Sequence, residues 1–260
     1  MAKGGQWQRA EGYLAQMVDS GLKPSVISVT ALIEALSKGG EWRRAEEVLL
    51  AMHADHGVAP DTISFSVAMA AMARARQWRR AEALMGEMLK AGVRPDARAY
   101  NALMDAYARG GQVDKVFETF EHMKRRACVP TKATYTTVVE TFVADSVAKT
   151  EEGAVELDTN LAVEFLQDLT AGHHHKKYLP FVFNKLAQAL ARAGQWQHAE
   201  ETVEKMMAAG WRPTLPTFNM LLGVYGKAGQ WERAADAFAL LEQCQLAPDE
   251  VTFNCVIDAM

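Results

Sequence analysis

The chain has 260 residues, 49% of them apolar and 23% charged, with a formal net charge of −4. That length allows one or two globular domains or one medium solenoid, with enough apolar surface for a sizeable core. A net acidic chain is no bulk neutraliser of polyanions, so any nucleic-acid contact must come from a local basic stripe; the lack of any run of eighteen apolar residues excludes a helical membrane span.

Residues 1–25 open on MAKGGQWQRAE and read as the second helix of a repeat, with no signal or transit peptide ahead of it. The chain is therefore expected to be a segment of a longer protein. From residue 26 a pattern of about 35 residues recurs, each copy reading as two helices. Five of the six tryptophans share one frame, at Trp7, Trp42, Trp78, Trp196 and Trp231, with Val113 in the same place in a sixth copy. Three residues after each stands a small or β-branched residue (Ala10, Ala45, Ala81, Ala199, Ala234, Val116) that lets paired helices approach closely. Each Trp is expected to act as a core wedge between helices.

A second marker is proline followed by a polar cap: Pro24-Ser25, Pro60-Asp61, Pro95-Asp96, Pro130-Thr131, Pro213-Thr214 and Pro248-Asp249. Three units begin after these caps at Val26, Thr62 and Ala97 and fill residues 26–131. Each first helix has an apolar fourth residue (Val29, Phe65, Tyr100) followed by apolar residues at helical spacing, as in Leu32-Ile33-Leu36. Gly-containing turns such as Gly39-Gly40 and Gly110-Gly111 end them.

Residues 132–179 form an irregular fourth unit, 48 residues long. Its first helix reads as residues 132–144 and its second as about 157–170, separated by an acidic insertion at 145–156. The insertion is a solvated loop or a docking element for a protein partner. His173, His174 and His175 follow, but consecutive histidines in a loop lack the fixed geometry a metal needs, so no metal site is expected. Two further units fill 180–249, and 250–260 reads as the first helix of another. No single pair can bury both of its apolar faces; stacking like units makes a continuous core, so the fold class is an all-α solenoid of helix–turn–helix units.

The period of 35, openings such as Tyr100-Asn101-Ala102-Leu103, Phe183-Asn184-Lys185-Leu186 and Phe218-Asn219-Met220-Leu221, and endings such as Gly92-Val93-Arg94-Pro95-Asp96 together resemble the pentatricopeptide repeat (PPR) family, plain 35-residue type. The tetratricopeptide pattern fits less well, because it wants Gly where this chain has Ile33, Met69, Met104, Val139, Ala187 and Leu222. The resemblance implies a right-handed superhelix and single-stranded RNA as the ligand, read one base per repeat. It implies that the fifth residue of each first helix and the residue after the proline read a base edge together. Those pairs are Thr30/Asp61, Ser66/Asp96, Asn101/Thr131, Asn184/Thr214 and Asn219/Asp249, with Thr136/Leu179 in the irregular unit. By the family's correspondence the ligand would resemble 5′-G-G-C-N-C-U-3′. Helix capping by the same residues is the alternative, and the two roles can coexist. The base-flanking residue, second in each unit, would be Ile27, Ile63, Arg98 or Phe181, with Ala133 and Pro216 departing from the family's branched aliphatic.

Independently of the family, the thirteenth residue of each first helix is Lys38, Arg74, Arg109, Ala144, Arg192 and Lys227. Single cations at repeat spacing can follow a sugar–phosphate backbone; a cation near a helix C-terminus is also favoured by the macrodipole. No catalytic set appears: there is no zinc-deaminase signature, P-loop or dinucleotide turn, so neither enzyme activity nor a cofactor is expected. Cys128, Cys244 and Cys255 form no Cys-x-x-Cys pair and read as reduced thiols. The leading expectation is a sequence-selective binder of organellar mRNA or rRNA, in mitochondrion or chloroplast by resemblance alone. The alternative is a structural subunit of an organellar ribosome or similar assembly.

Overall fold

Apolar positions three and four apart, capped by Ser, Thr or Asp and stopped by Gly or Pro, set a succession of short amphipathic helices. The computed structural model describes residues 6–151, 179–192, 194, 196–208 and 210–260, and among these it contains thirteen α-helices and no strand. They are α1 (Gln6–Asp19), α2 (Val26–Gly39), α3 (Trp42–His56), α4 (Thr62–Arg74), α5 (Trp78–Lys90), α6 (Ala97–Arg109), α7 (Val113–Arg125), α8 (Lys132–Glu151), α9 (Leu179–Arg192), α10 (Trp196–Ala208), α11 (Leu215–Lys227), α12 (Trp231–Gln243) and α13 (Glu250–Ala259). The fold is an all-α repeat solenoid.

Two compact units divide the chain, Met1–Val138 and Val139–Met260. In the first, α2, α4 and α6 pack in succession, and each also packs on its own second helix, α3, α5 or α7. In the second unit α9, α11 and α13 stack in the same way, with α10 and α12 beside them. The fourth residue of nearly every first helix is buried: Val29, Phe65, Tyr100, Tyr135, Phe183 and Phe218 are at most 3% exposed. From the second helices come Ala45, Leu49 and Met52, Ala81 and Met88, Val116 and Met123, and Ala199 and Met206, all buried. The small residue after each Trp thus does admit the neighbouring helix.

The tryptophans themselves are half-buried, except Trp231, which is exposed. Trp7, Trp78 and Trp196 face the unit that follows. Trp7 lies against Gly39 and Trp78 against Gly110, so tightly that a Cβ on either glycine would overlap the indole. Trp78 also meets Tyr107, and Trp196 meets Tyr225, with ring centroids 6.0 Å apart in both pairs. A basic residue from the next second helix then covers the indole: Arg44 over Trp7, Lys115 over Trp78 and Arg233 over Trp196. The same three cations pair with Glu11, Glu82 and Glu200, four residues past each Trp. Trp, Glu and the following Arg or Lys therefore form a staple between consecutive second helices. The core wedge expected between helices is, at Trp7, Trp78 and Trp196, a half-buried clamp onto the following repeat.

Glycine at the first-helix turn allows the left-handed backbone that ends α2: Gly40 sits at φ 83 and donates its N–H to Leu36 and Ser37 carbonyls. The fourth unit departs from expectation in one respect. Helix α8 runs to Glu151 instead of stopping at residue 144. Residues 145–151 (DSVAKTE) contain neither Gly nor Pro, so nothing local breaks the helix before Gly153. The rest of the insertion, the expected second helix at about 157–170 and the His173–His175 run lie outside the described residues.

Candidate nucleic-acid interface

Helix capping brings the fifth residue of one unit toward the start of the next. Asp61, Asp96, Thr214 and Asp249 each precede a first helix with extended backbone, and the three Asp side chains accept from N–H groups of the first turn. Asp61 Oδ1 accepts from the Ser64 N–H at 2.8 Å, Asp96 Oδ1 from the Arg98 and Ala99 N–H groups, and Asp249 Oδ1 from the Thr252 N–H at 2.8 Å. Capping is therefore real at these positions.

Two of the expected pairs are also joined directly. Asn101 Nδ2 donates to Thr131 Oγ1, and Asn219 Nδ2 to Asp249 Oδ1, each at 3.1 Å across 30 residues of chain. The Asn carbonyls are held as well, by residues that sequence reading overlooked. Thr134, Thr217 and Thr252 hydroxyls donate to Asn101, Asn184 and Asn219 Oδ1 at 2.6, 2.6 and 2.7 Å. The available signal was the capping-box spacing, a hydroxyl residue three after the cap.

The hydroxyl units differ. Ser66 Oγ donates to its own helix, at the Thr62 carbonyl (2.6 Å), and Thr136 does the same to Lys132 (2.9 Å). The Thr30 hydroxyl is buried without a hydrogen-bond partner among the described residues. No hydrogen bond joins Thr30 to Asp61 or Ser66 to Asp96 among the described residues.

In the second unit the flanking position forms a slot. Phe181 and Pro216, second residues of successive repeats, line an open cleft of about 240 Å³ with Asn184, Lys185, Thr214 and Thr217. Lys185 also lies 6.0 Å from the Phe181 ring centroid. Ile27 is 81% exposed and Ile63 44%, so both offer apolar surface to a ligand. Arg98, in the same position, is exposed and paired to the Asp96 carboxylate at 3.3 Å.

The thirteenth-position cations are not equivalent. Lys38 and Arg109 are exposed and pair within their own helices with Glu34 and Asp105, at 2.6 and 2.8 Å. Lys227 is exposed at the end of α11. Arg74 reaches back instead to the buried Ser37, donating to its carbonyl at 2.9 Å and its hydroxyl at 2.7 Å. The Arg192 side chain lies outside the described residues.

Residues 60–108, 95–144 and 213–260 match the PPR repeat family, and residues 13–75 and 181–228 match the pentatricopeptide repeat domain. The chain belongs to the pentatricopeptide repeat family. Among curated PPR relatives, it is 28% identical over 132 residues to the Arabidopsis thaliana small ribosomal subunit protein mL103, a match covering 51% of this chain and 32% of that protein. It is 26% identical over 201 residues to a chloroplastic pentatricopeptide repeat-containing protein of the same plant, covering 77% of this chain and 24% of the relative. The chain thus spans about a third or less of the length of these relatives. Among solved structures, the PPR protein PPR10 in complex with an 18-nt psaJ RNA element aligns over 96% of this chain and 38% of its own, with a TM-score of 0.57 and 24% identity. PPR10 from maize also aligns, at a TM-score of 0.53.

The two PPR units differ in charge. Residues 1–138 hold 19 Lys and Arg against 15 Asp and Glu, whereas residues 139–260 hold nine against 17. The net acidity of the chain resides in its second unit.

Proposed function

We propose that this PPR chain binds single-stranded RNA selectively, one nucleotide per helix pair, in the order 5′-G-G-C-N-C-U-3′. The observation that carries the reading is the pairing of Asn101 with Thr131 and Asn219 with Asp249, polar groups oriented together at equivalent places in different repeats. Asn supplies a donor and an acceptor, Ser and Thr a hydroxyl, and Asp an acceptor, which together suit base edges. Phe181 and Pro216 would stack on the base at Asn184; Ile27, Ile63 and Arg98 would flank the bases read by the first units. Lys38, Arg109, Arg192 and Lys227 would contact phosphates, with Arg74 contributing from its place over Ser37. Such a protein acts without catalysis, stabilising an organellar mRNA or rRNA, directing its processing or aiding its translation. The insertion at 145–156 offers a site for a protein partner.

A salt-dependent binding assay on 5′-GGCNCU-3′ against a scrambled RNA tests the proposal. The expected result is tighter binding of the first at every salt concentration, with affinity falling as salt rises. Equal and negligible affinity for both sinks it.

A second reading is a structural subunit of an organellar ribosome or other large ribonucleoprotein. The acidic second unit and the likeness to a small ribosomal subunit protein favour it. Its signature is equal affinity for any RNA together with retention in the assembly when Asn101 and Asn219 are changed to Ala.

A further inference from the structure

We infer that the third residue of each following first helix is a specificity determinant: Thr134, Thr217 and Thr252 fix the carboxamides of Asn101, Asn184 and Asn219 in one orientation. The inference rests on the base-reading proposal and extends it to residues outside the expected pairs.

An Asn side chain is useful to a base only if its donor and acceptor ends keep their places, because a half-turn exchanges them. At Asn219 the network fixes the answer. The Asp249 carboxylate is an acceptor and needs the amide nitrogen, at 3.1 Å; the amide oxygen must then face Thr252, whose hydroxyl donates to it at 2.7 Å. The single hydrogen of that hydroxyl is shared with Asp249 Oδ1 at 2.8 Å, and its oxygen accepts from the Asp249 N–H at 3.1 Å. Thr134 and Thr217 repeat the arrangement, each accepting from the cap N–H (2.8 and 3.0 Å) while donating to Asn at 2.6 Å. All three threonines are at most 2% exposed, so no water competes for the bond. One carbonyl lone pair of each Asn remains for a ligand, with one amide hydrogen beside it at Asn101 and Asn219, in a set order.

Units with a hydroxyl in fifth place have no such partner. Thr30 is followed by Ser64, whose hydroxyl turns to the Asp61 carbonyl at 2.8 Å; Ser66 is followed by Ala99, and Thr136 by Val182. The Ser66 and Thr136 hydroxyls are held by their own helices instead, donating to the Thr62 and Lys132 carbonyls, so neither needs a group from the next unit to orient it. Asn goes with Thr in every case here, and Ser or Thr never does.

Dissociation constants for RNAs carrying each of the four bases at the third or sixth nucleotide of 5′-GGCNCU-3′ test the inference. Thr134→Val should cut discrimination at nucleotide three by about fivefold, the worth of one hydrogen bond, and leave nucleotide six unchanged. Thr252→Val should do the reverse, and Thr→Ser at either position should restore it. A second measurement adds the device where it is missing: Ser66→Asn with Ala99→Thr should select uridine at nucleotide two more strongly than Ser66→Asn alone. Unchanged preferences in the Val variants, a uniform loss over all RNAs, or identical behaviour of the single and double variants overturns the inference. Failure of the wild-type chain to discriminate at nucleotides three and six would instead overturn base reading itself.

Discussion

Arg74 reaches the end of α2, the first helix of the preceding repeat: its Nη1 donates to the Ser37 carbonyl at 2.9 Å and to the Ser37 hydroxyl at 2.7 Å. Ser37 is buried, so removing the guanidinium leaves its hydroxyl without that partner and its carbonyl with only the long Gly40 N–H bond. Arg74→Ala should therefore destabilise the chain by about 1–2 kcal/mol, read by denaturant unfolding. Lys227→Ala, at the equivalent but exposed position, should leave stability within about 0.5 kcal/mol and reduce RNA affinity alone. Equal stability loss in both variants would contradict the distinction.

Asn219 should set the preference at the last nucleotide. Replacing it by Thr substitutes a freely rotating hydroxyl for an oriented carboxamide beside Asp249, whose carboxylate presently accepts from it at 3.1 Å. The expected outcome is a shift from uridine toward guanosine by about 1 kcal/mol or more, measured by competition between RNAs differing at that base. Preference at the other nucleotides should stay as it was.

Gly110 is a test of inter-repeat packing. The Trp78 indole occupies the space a side chain would need there, with the Ala106 carbonyl 3.2 Å from the same point. Gly110→Ala should cost about 1–3 kcal/mol through overpacking. Paired with Trp78→Ala the penalty of the Gly110 change should shrink, giving a coupling of about 1 kcal/mol in a double-mutant cycle. Strict additivity would show that the indole and the glycine do not oppose each other.

Asp249 should titrate low. The Thr252 backbone N–H most strongly, then the Thr252 hydroxyl and the Asn219 carboxamide, hold its carboxyl below the ordinary carboxylate value. A depressed pKa in the folded state contributes stability that is present above the unfolded value of about 3.9 and lost as pH falls through the lowered one. The Thr252 amide resonance should thus titrate with a midpoint below about 3.9, and Thr252→Val should raise that midpoint. A midpoint at or above the ordinary value contradicts the hydrogen bonding described.

Much of this protein is written locally. The helix starts at Val26, Thr62, Ala97, Lys132, Leu215 and Glu250 each follow a Pro-plus-cap dipeptide, because capping and the proline restriction act within a few residues. The buried stripes such as Leu32, Ile33 and Leu36 follow from helical periodicity for the same reason. The extension of α8 past residue 144 departs from the length of the other first helices, because DSVAKTE contains no Gly or Pro to stop it.

What only the tertiary structure decided are the partners about 30 to 37 residues apart. Sequence spacing places a cation at each thirteenth position, but whether it points outward, as Lys227 does, or back onto Ser37, as Arg74 does, depends on which polar group the preceding repeat leaves unpaired. It places Trp78 at a helix start, yet the neighbouring repeat turns that ring onto Gly110 and beneath Lys115. It marks Thr252 as a capping residue, and only the stacking of α13 on α11 brings its hydroxyl to Asn219. Periodicity fixes which face a residue occupies; the close approach of successive repeats fixes which atom it meets.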